Sequence, residues 1–241
     1  MSGKRAIIVG ASSGIGFEIC RELARSGWQI AALARRADRL ESLRAEFPNQ
    51  IKPVVHDVLD PGSVPPLFAE LCHDLDGLDL IMYVAGAMHA VAADEFDFEK
   101  DHLMVETNLL GAIAWLNQAA QRFQHTGGGT ICAIGSVAGD RGRAGNPVYN
   151  ASKAGLAAYM EALRNRLHRK GVTVSTIKPG PIETEMTAGL TLKNPMKADV
   201  AAKKIVKLAF KPGEHYLSIV HRIIFAIIRL IPSFIFRKLS L

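Results

Sequence analysis

Tyr149 and Lys153 stand four residues apart, and Ser136 precedes them just after the apolar run Thr130 to Ile134. On a helix that spacing stacks the phenol and the ammonium on one face. A serine just past a buried strand lies where open α/β sheets place their ligands. A phenol titrates near pH ~10 and exchanges protons poorly at neutrality unless its anion is stabilised. A fixed Lys153 ammonium would do that by lowering the phenol's pKa. If Ser136 hydrogen-bonds a carbonyl or alcohol oxygen while Tyr149 exchanges a proton with it, the attached carbon is ready to receive or release hydride. A cofactor must carry that hydride. Taken alone, the pair also reads as the start of an amphipathic helix with one solvated charge.

The elements that must position these groups follow from the apolar pattern. Arg5 to Val9 reads as a buried strand that runs into Gly10, Ser12, Ser13, Gly14, Ile15 and Gly16, then a helix through Ile19, Leu23 and Ala24. The glycines allow a tight turn and close backbone approach, and the helix amino terminus offers N–H groups to a pyrophosphate. An ordinary βα turn is the other reading. A second strand, Gln29 to Ala34, ends in Arg35-Arg36 about twenty residues past the glycines, where a ribose-binding carboxylate would mark NAD. No carboxylate stands there. Arg35, backed by Arg36 and the hydroxyl of Ser12 or Ser13, would instead clasp the 2′-phosphate of NADP; otherwise the two arginines are solvated at the start of a helix from Ala37 to Phe47.

Ile51 to Val55 is a third strand, followed by His56, Asp57 and Val58 at the sheet edge. Asp57 either accepts from an adenine amine or caps the turn before Pro61. Leu78 to Val84 is a fourth strand, ending in Ala85-Gly86, small enough for a ribose to approach. A long helical pattern from Phe98 to Phe123 carries Asn108, whose amide must be satisfied. It either holds a water linking Lys153 to solvent or braces a helix irregularity. After the Tyr149 helix comes a strand from Val172 to Ile177, then a sharp turn at Pro179-Gly180 that would aim the Ile182 backbone and the Thr184 hydroxyl at a carboxamide and pyrophosphate. Glu185 to Pro195 reads as a lid, and Ala198 to Phe210 as a helix. The alternation predicts an α/β, Rossmann-type doubly wound, mainly parallel sheet of about seven strands with helices on both faces.

The chain has 241 residues, 49% of them apolar, enough for one continuous core. We read one domain over residues 1–215 and an apolar, basic helical tail over 216–241. Cys20, Cys72 and Cys132 are widely spaced within apolar patterns, which predicts reduced thiols, no disulfide framework and no metal site. The apolar run after Lys4 and Arg5 ends in the glycine turn with no cleavage-type site, so it reads as a strand rather than a signal peptide. That composition predicts the cytoplasm. The formal charge of +6 suits an anionic partner; the absence of interleaved aromatic platforms argues against nucleic acid. In the tail, charges interrupt each apolar run before the ~20 residues a membrane span needs. Arg222, Arg229 and Arg237 share one helical sector, and Pro232 divides the segment. The tail either lies in a membrane interface at the inner face or packs on its own domain or a partner subunit.

Together these motifs resemble the short-chain dehydrogenase/reductase family over roughly residues 5 to 220. The glycine motif is Gly10, Gly14, Gly16; the family's tetrad falls on Asn108, Ser136, Tyr149 and Lys153; its Pro-Gly motif is Pro179-Gly180. The resemblance implies an NADP(H)-dependent oxidoreductase, a homodimer or homotetramer built on the long helices, and cofactor contacts from the glycine turn, Arg35, Arg36, Asp57, Val58, Ala85, Gly86, Tyr149, Lys153, Ile182 and Thr184. Two departures stand out: Val9 replaces a threonine, and Tyr83-Val84-Ala85-Gly86 replaces Asn-Asn-Ala-Gly, which removes a strand-bracing hydrogen bond. The stretches around Asp140-Arg141-Gly-Arg143, Lys178 to Leu190 and Ile231 to Leu241 are similar to a bacterial branch, the decaprenylphosphoryl-2-keto-erythro-pentose reductase-like enzymes. That likeness implies reduction of a keto-sugar carried on polyprenyl phosphate. Steroid, retinoid or acyl ketones also suit the apolar residues Met88, Val91 and Leu190, and a non-catalytic NADP-binding sensor or scaffold is the reading from another class. Arg141 and Arg143 either meet a substrate phosphate or pair with Asp140 and other surface carboxylates.

Overall fold

The computed structural model describes residues 4–239. In chain order the elements are β1 (Arg5–Val9), α1 (Gly14–Arg25), β2 (Gln29–Ala34), α2 (Ala37–Glu46), β3 (Ile51–Val55), α3 (Val64–Asp74) and β4 (Leu80–Tyr83). Next come α4 (Phe98–Val105), a π turn (Glu106–Leu110), α5 (Gly111–Thr126), β5 (Gly129–Ile134), a 3-10 turn (Val137–Asp140), α6 (Pro147–Leu167) and β6 (Val172–Lys178). The chain ends with β7 (Ile182–Glu183), β8 (Met196–Lys197), α7 (Ala198–Ala209), β9 (Gly213–Tyr216), α8 (Ile219–Leu230) and α9 (Ser233–Phe236).

Seven strands form one sheet in the order β3-β2-β1-β4-β5-β6-β9, with every neighbouring pair parallel. This is the doubly wound sheet that the alternation predicts. The unbroken apolar runs of β1 and β4 are what strands covered on both faces require. Alternate residues divide between two cores. Ala6 and Ile8 pack with Ile19 and Leu23 of α1, Leu40 of α2 and Ile205 of α7. Ile7 and Val9 pack with Phe68 of α3, Trp115 and Phe123 of α5, and Met160 of α6. The strand order reverses between β1 and β4, so a crevice opens at their carboxyl ends.

The structure departs from the sequence reading in three places. The long helical pattern is two helices joined by the π turn, which carries Asn108. A helix not singled out in the sequence, α3, opens with Pro65 and Pro66 in its first turn, where proline's missing N–H costs nothing. The seventh strand, β9, is a half-buried edge beside β6.

The tail packs on its own domain. Phe225 of α8 and Phe236 of α9 are buried, while most other apolar residues of the two helices are exposed. Among the described residues no helix is long and apolar enough to cross a membrane. Ser240 and Leu241, the end of the expected tail, lie outside the described residues.

Candidate functional site

The crevice between β1 and β4 begins with close backbone packing. Gly10 adopts a positive φ of 98°, and a Cβ there would sit 2.4 Å from the Ala85 nitrogen. Only glycine tolerates both conditions. The N–H groups of Gly10 and Ala11 donate to the Leu33 carbonyl at 2.8 and 2.9 Å, and those of Val84 and Ala85 donate to Val9. The β1, β2 and β4 ends are thereby locked together. Gly16 approaches the Gly10 carbonyl as closely, Ile15 packs on the core, and Ser13 caps α1 by position without a side-chain hydrogen bond. The amino terminus of α1 thus faces the crevice with unpaired N–H groups, a fit for phosphate.

At the end of β2, Arg36 rather than Arg35 reaches the glycine turn. Its Nε and Nη2 donate to the Ser12 hydroxyl at 3.3 and 3.2 Å. Its Nη1 meets the Glu185 carboxylate at 2.8 Å, and Arg39 stands 3.7 Å from the same group. Arg35 is exposed and has no ion pair among the described residues. The two side chains part because successive side chains at a strand end point to opposite sides. Glu185 also lies beside Ser13, so a carboxylate already rests on the cations and hydroxyls of the glycine turn. These residues therefore accept an anionic group. As the first residue of the expected lid, Glu185 carried no sequence signal for this contact.

Further along the edge, Asp57 uses Oδ1 to accept from the Leu59 N–H at 3.1 Å, capping its own turn, and Val58 packs against the amino end of α5. His56 is buried and accepts from the Trp115 indole at 3.2 Å; burial lowers its pKa. Tyr83 supplies a brace of its own. Its hydroxyl donates to the Thr107 carbonyl inside the π turn at 2.6 Å, tying the end of β4 to that turn.

Ser136, Tyr149, Lys153 and Asn108 converge around Gly86 and the 3-10 turn. A Cβ on Gly86 would lie 3.2 Å from Asn108 Oδ1 and 3.5 Å from Lys153 Nζ. A Cβ on Gly139 would meet the Lys153 backbone at 2.7 Å, so the turn after Ser136 packs directly on α6. The Asn108 side chain accepts from the Ala87 N–H at 2.8 Å and donates to the Ala87 carbonyl and the Ser152 hydroxyl at 2.9 and 3.1 Å. It braces the π turn against the loop after β4 and against α6. Ser136 Oγ accepts from the Ala138 N–H at 3.0 Å, leaving its own proton available. The Val137 N–H donates to the Pro179 carbonyl at 3.1 Å, tying the Pro-Gly loop to that turn.

Electrostatics here differ from expectation. Burial pushes the Tyr149 phenol above its ordinary value, and the neighbouring Ser136 hydroxyl and the Arg143 charge act against that rise. The Lys153 ammonium donates to the Ile134 carbonyl at 3.1 Å and lies 5.9 Å from the phenol ring centroid. Burial lowers its pKa to about 8. At the phenol burial dominates, and the Arg143 charge is the cation that opposes it. Asn150 donates to the carbonyls of Arg143 and Gly145 at 3.3 and 3.0 Å, which shapes the loop holding Arg143. Arg143 Nε is buried and without a hydrogen-bond partner among the described residues.

Neither arginine of that loop pairs with Asp140. Arg141 donates to the Arg229 carbonyl and the Ser233 hydroxyl, at 3.3 and 3.2 Å, and lies 4.7 Å from the Phe236 ring centroid. Asp140 binds Lys178, Tyr216 and Arg229 instead. Past Pro179-Gly180, the Thr184 methyl packs on Gly14, and its hydroxyl lies 3.3 Å from that of Thr187 in a 3-10 capping box. The Ile182 side chain is buried, and its carbonyl accepts from Thr187 at 2.7 Å.

The family model for short chain dehydrogenases matches residues 4–195. An uncharacterised oxidoreductase of Mycobacterium tuberculosis is 36% identical over 191 residues, covering 77% of this chain and 76% of its own length. Serine 3-dehydrogenase of Agrobacterium fabrum is 31% identical over 225 residues, covering 88% and 90%. Among solved structures, a variant of actinorhodin polyketide ketoreductase with NADPH superposes with a TM-score of 0.80 at 24% identity, covering 89% of this chain and 95% of that one.

Proposed function

The chain belongs to the short-chain dehydrogenase family, and from that premise we propose that it reduces a ketone to a secondary alcohol with NADPH. The observation that carries this reading is the convergence of Ser136, Tyr149 and Lys153 on one turn of α6 at the crevice, beside a glycine turn whose cation, Arg36, already holds an anion. The α1 amino terminus, Ser12, Ser13 and Arg36 would hold the phosphates of NADPH, which supplies the hydride when bound. Ser136 donates to the carbonyl oxygen and polarises it. A phenol is protonated at neutrality, and Tyr149 gives its proton to that oxygen as negative charge develops there. Lys153 sits close enough to neutrality to favour the phenolate as the proton leaves and to yield a proton in turn. Asn108 positions α6 through Ser152 rather than touching the reacting atoms.

The cofactor half is tested by titrating NADPH and NADH through nicotinamide fluorescence. Wild type is expected to prefer NADPH. Arg36→Ala should weaken NADPH about tenfold or more through loss of a charge-assisted contact, with NADH little changed and Arg35→Ala the milder variant. Glu185→Gln should tighten NADPH by about two- to fivefold, since a competing exposed carboxylate is removed. Equal or better NADH binding by wild type would overturn the preference. Cofactor binding without turnover on a broad ketone panel would favour a sensor.

For the substrate we favour an apolar ketone that carries a phosphate, of which a polyprenyl-phosphate-linked keto-sugar is the example suggested by the resemblance. The support is Arg143, a cation beside the phenol whose Nε lacks a partner, together with exposed Met186 and Leu190 on the lid. Arg143→Leu is expected to raise KM for a phosphate-bearing ketone about tenfold or more while leaving KM for uncharged ketones near wild type. Equal effects on both would point to the uncharged steroid, retinoid or acyl class.

A further inference from the structure

We propose that the outward face of α8 docks on an anionic phospholipid surface. This face takes no part in the hydride chemistry.

An ordinary surface helix turns its apolar stripe to the core and its polar residues to water. α8 reverses this. Its inward contact is Phe225, 7% exposed, whereas Ile219, Ile223, Ile227 and Leu230 are 65%, 55%, 58% and 83% exposed. Their spacing of four, four and three residues places them in a single row. Phe234 of α9, also exposed, lies beyond its end in the sequence. Isolated apolar residues on a surface need no explanation, but a contiguous row marks an interaction site. The row is held in place rather than frayed: Arg229 binds Asp140, and Arg141 donates to both the Arg229 carbonyl and Ser233.

Charge selects the occupant. No Asp or Glu follows Glu214 in the sequence, while Arg222, Arg237 and Lys238 are exposed on the same segment. A second copy meeting this face would oppose like cations with no tail carboxylate to answer them. A leaflet of anionic lipid satisfies both halves: acyl chains take the isoleucine row, and headgroups take the cations, whose long stems reach the interface. The helix begins beside the site. The His221 ring packs on Gly180, 2.1 Å from where a Cβ would stand, so the docked helix lies against the Pro179-Gly180 edge of the crevice.

The test is vesicle flotation of the full chain with phosphatidylcholine alone and with phosphatidylcholine mixed with phosphatidylglycerol. Wild type is expected to float with the mixed vesicles and to be released between about 0.1 M and about 1 M salt. Ile223→Glu combined with Ile227→Glu should reduce partitioning about tenfold or more, with thermal melting and NADPH titration unchanged. As a second variant that leaves the apolar row intact, Arg222→Glu with Lys238→Glu should reduce it several-fold. Failure of wild type to float, or undiminished flotation of the isoleucine variant, overturns the proposal. So does sedimentation without vesicles in which that variant converts an oligomer to a smaller species, because the face would then belong to a second copy. Loss of NADPH binding by wild type would count against the hydride reading alone.

Discussion

Tyr149→Phe is expected to lower ketone-reduction turnover by about 10²- to 10⁴-fold, the usual contribution of a positioned general acid, with NADPH affinity close to wild type. Phenylalanine keeps the ring and therefore its packing against α6 and its neighbourhood with Lys153, 5.9 Å from the ring centroid. Only the hydroxyl is lost. A phenol carries its proton throughout the neutral range, and burial raises the pKa of Tyr149 further. Reductive activity should decline as pH rises through that raised value, as the acid form is depleted. Stopped-flow turnover and fluorescence titration on the same preparation separate the chemical step from binding. Near-normal turnover in the variant would remove Tyr149 from the chemistry and leave Ser136 and Lys153 as a structural pair.

Asp140→Ala should produce the largest loss of stability, about 3–5 kcal/mol, the cost of breaking a buried ion pair from one side. For a chain of this size that is a fall in Tm of roughly 6–20 °C. The Asp140 side chain is fully buried and Lys178 nearly so; they meet at 2.8 Å, and Lys178 is also 2.8 Å from Glu214. Tyr216 donates to Asp140 at 2.7 Å, and Arg229 reaches it from α8. Removing the carboxylate leaves the Lys178 ammonium, at the end of β6, with Glu214 alone. The pH dependence has a definite sign. Burial raises the Asp140 pKa, but hydrogen bonds from Lys178, Tyr216 and Arg229 outweigh it and hold the carboxyl below its ordinary value of 3.8. A group depressed on folding contributes its stability above the unfolded pKa and loses it as pH falls through the folded one. The difference in Tm between wild type and Asp140→Ala should therefore be full at pH 7 and shrink below about pH 4. A constant difference would assign the loss to packing instead of charge.

The strands β1, β2 and β3 and the helix bearing Tyr149 were legible because each is written as a continuous local pattern. An unbroken apolar run such as Ala6 to Val9 has only a two-sided burial to satisfy, and Tyr149 and Lys153 share a helix face by spacing alone. β9 escaped because Gly213-Glu-His-Tyr is polar and half-buried; it is a strand by virtue of β6 beside it. α3 escaped because its prolines, read locally, suggest a loop. The π turn at Asn108 was foreshadowed only as an irregularity, since its cause is the side chain's grip on Ala87, 21 residues away.

Local order in the chain thus determined the sheet, the glycine turn and the placing of Ser136, Tyr149 and Lys153 at one crevice. Pairing of charges was decided by the tertiary structure. Arg36 meets Glu185 across 149 residues, and Asp140 meets Arg229 across 89. Arg35 and Arg36 are the same residue type in the same motif, yet the direction in which a side chain leaves the strand end separates them. The phenol's raised pKa belongs to burial, and the outward apolar face of α8 belongs to where the domain anchors that helix. A side chain's charge partners and dielectric surroundings are fixed by distances through space, and these exist only once separated segments have packed.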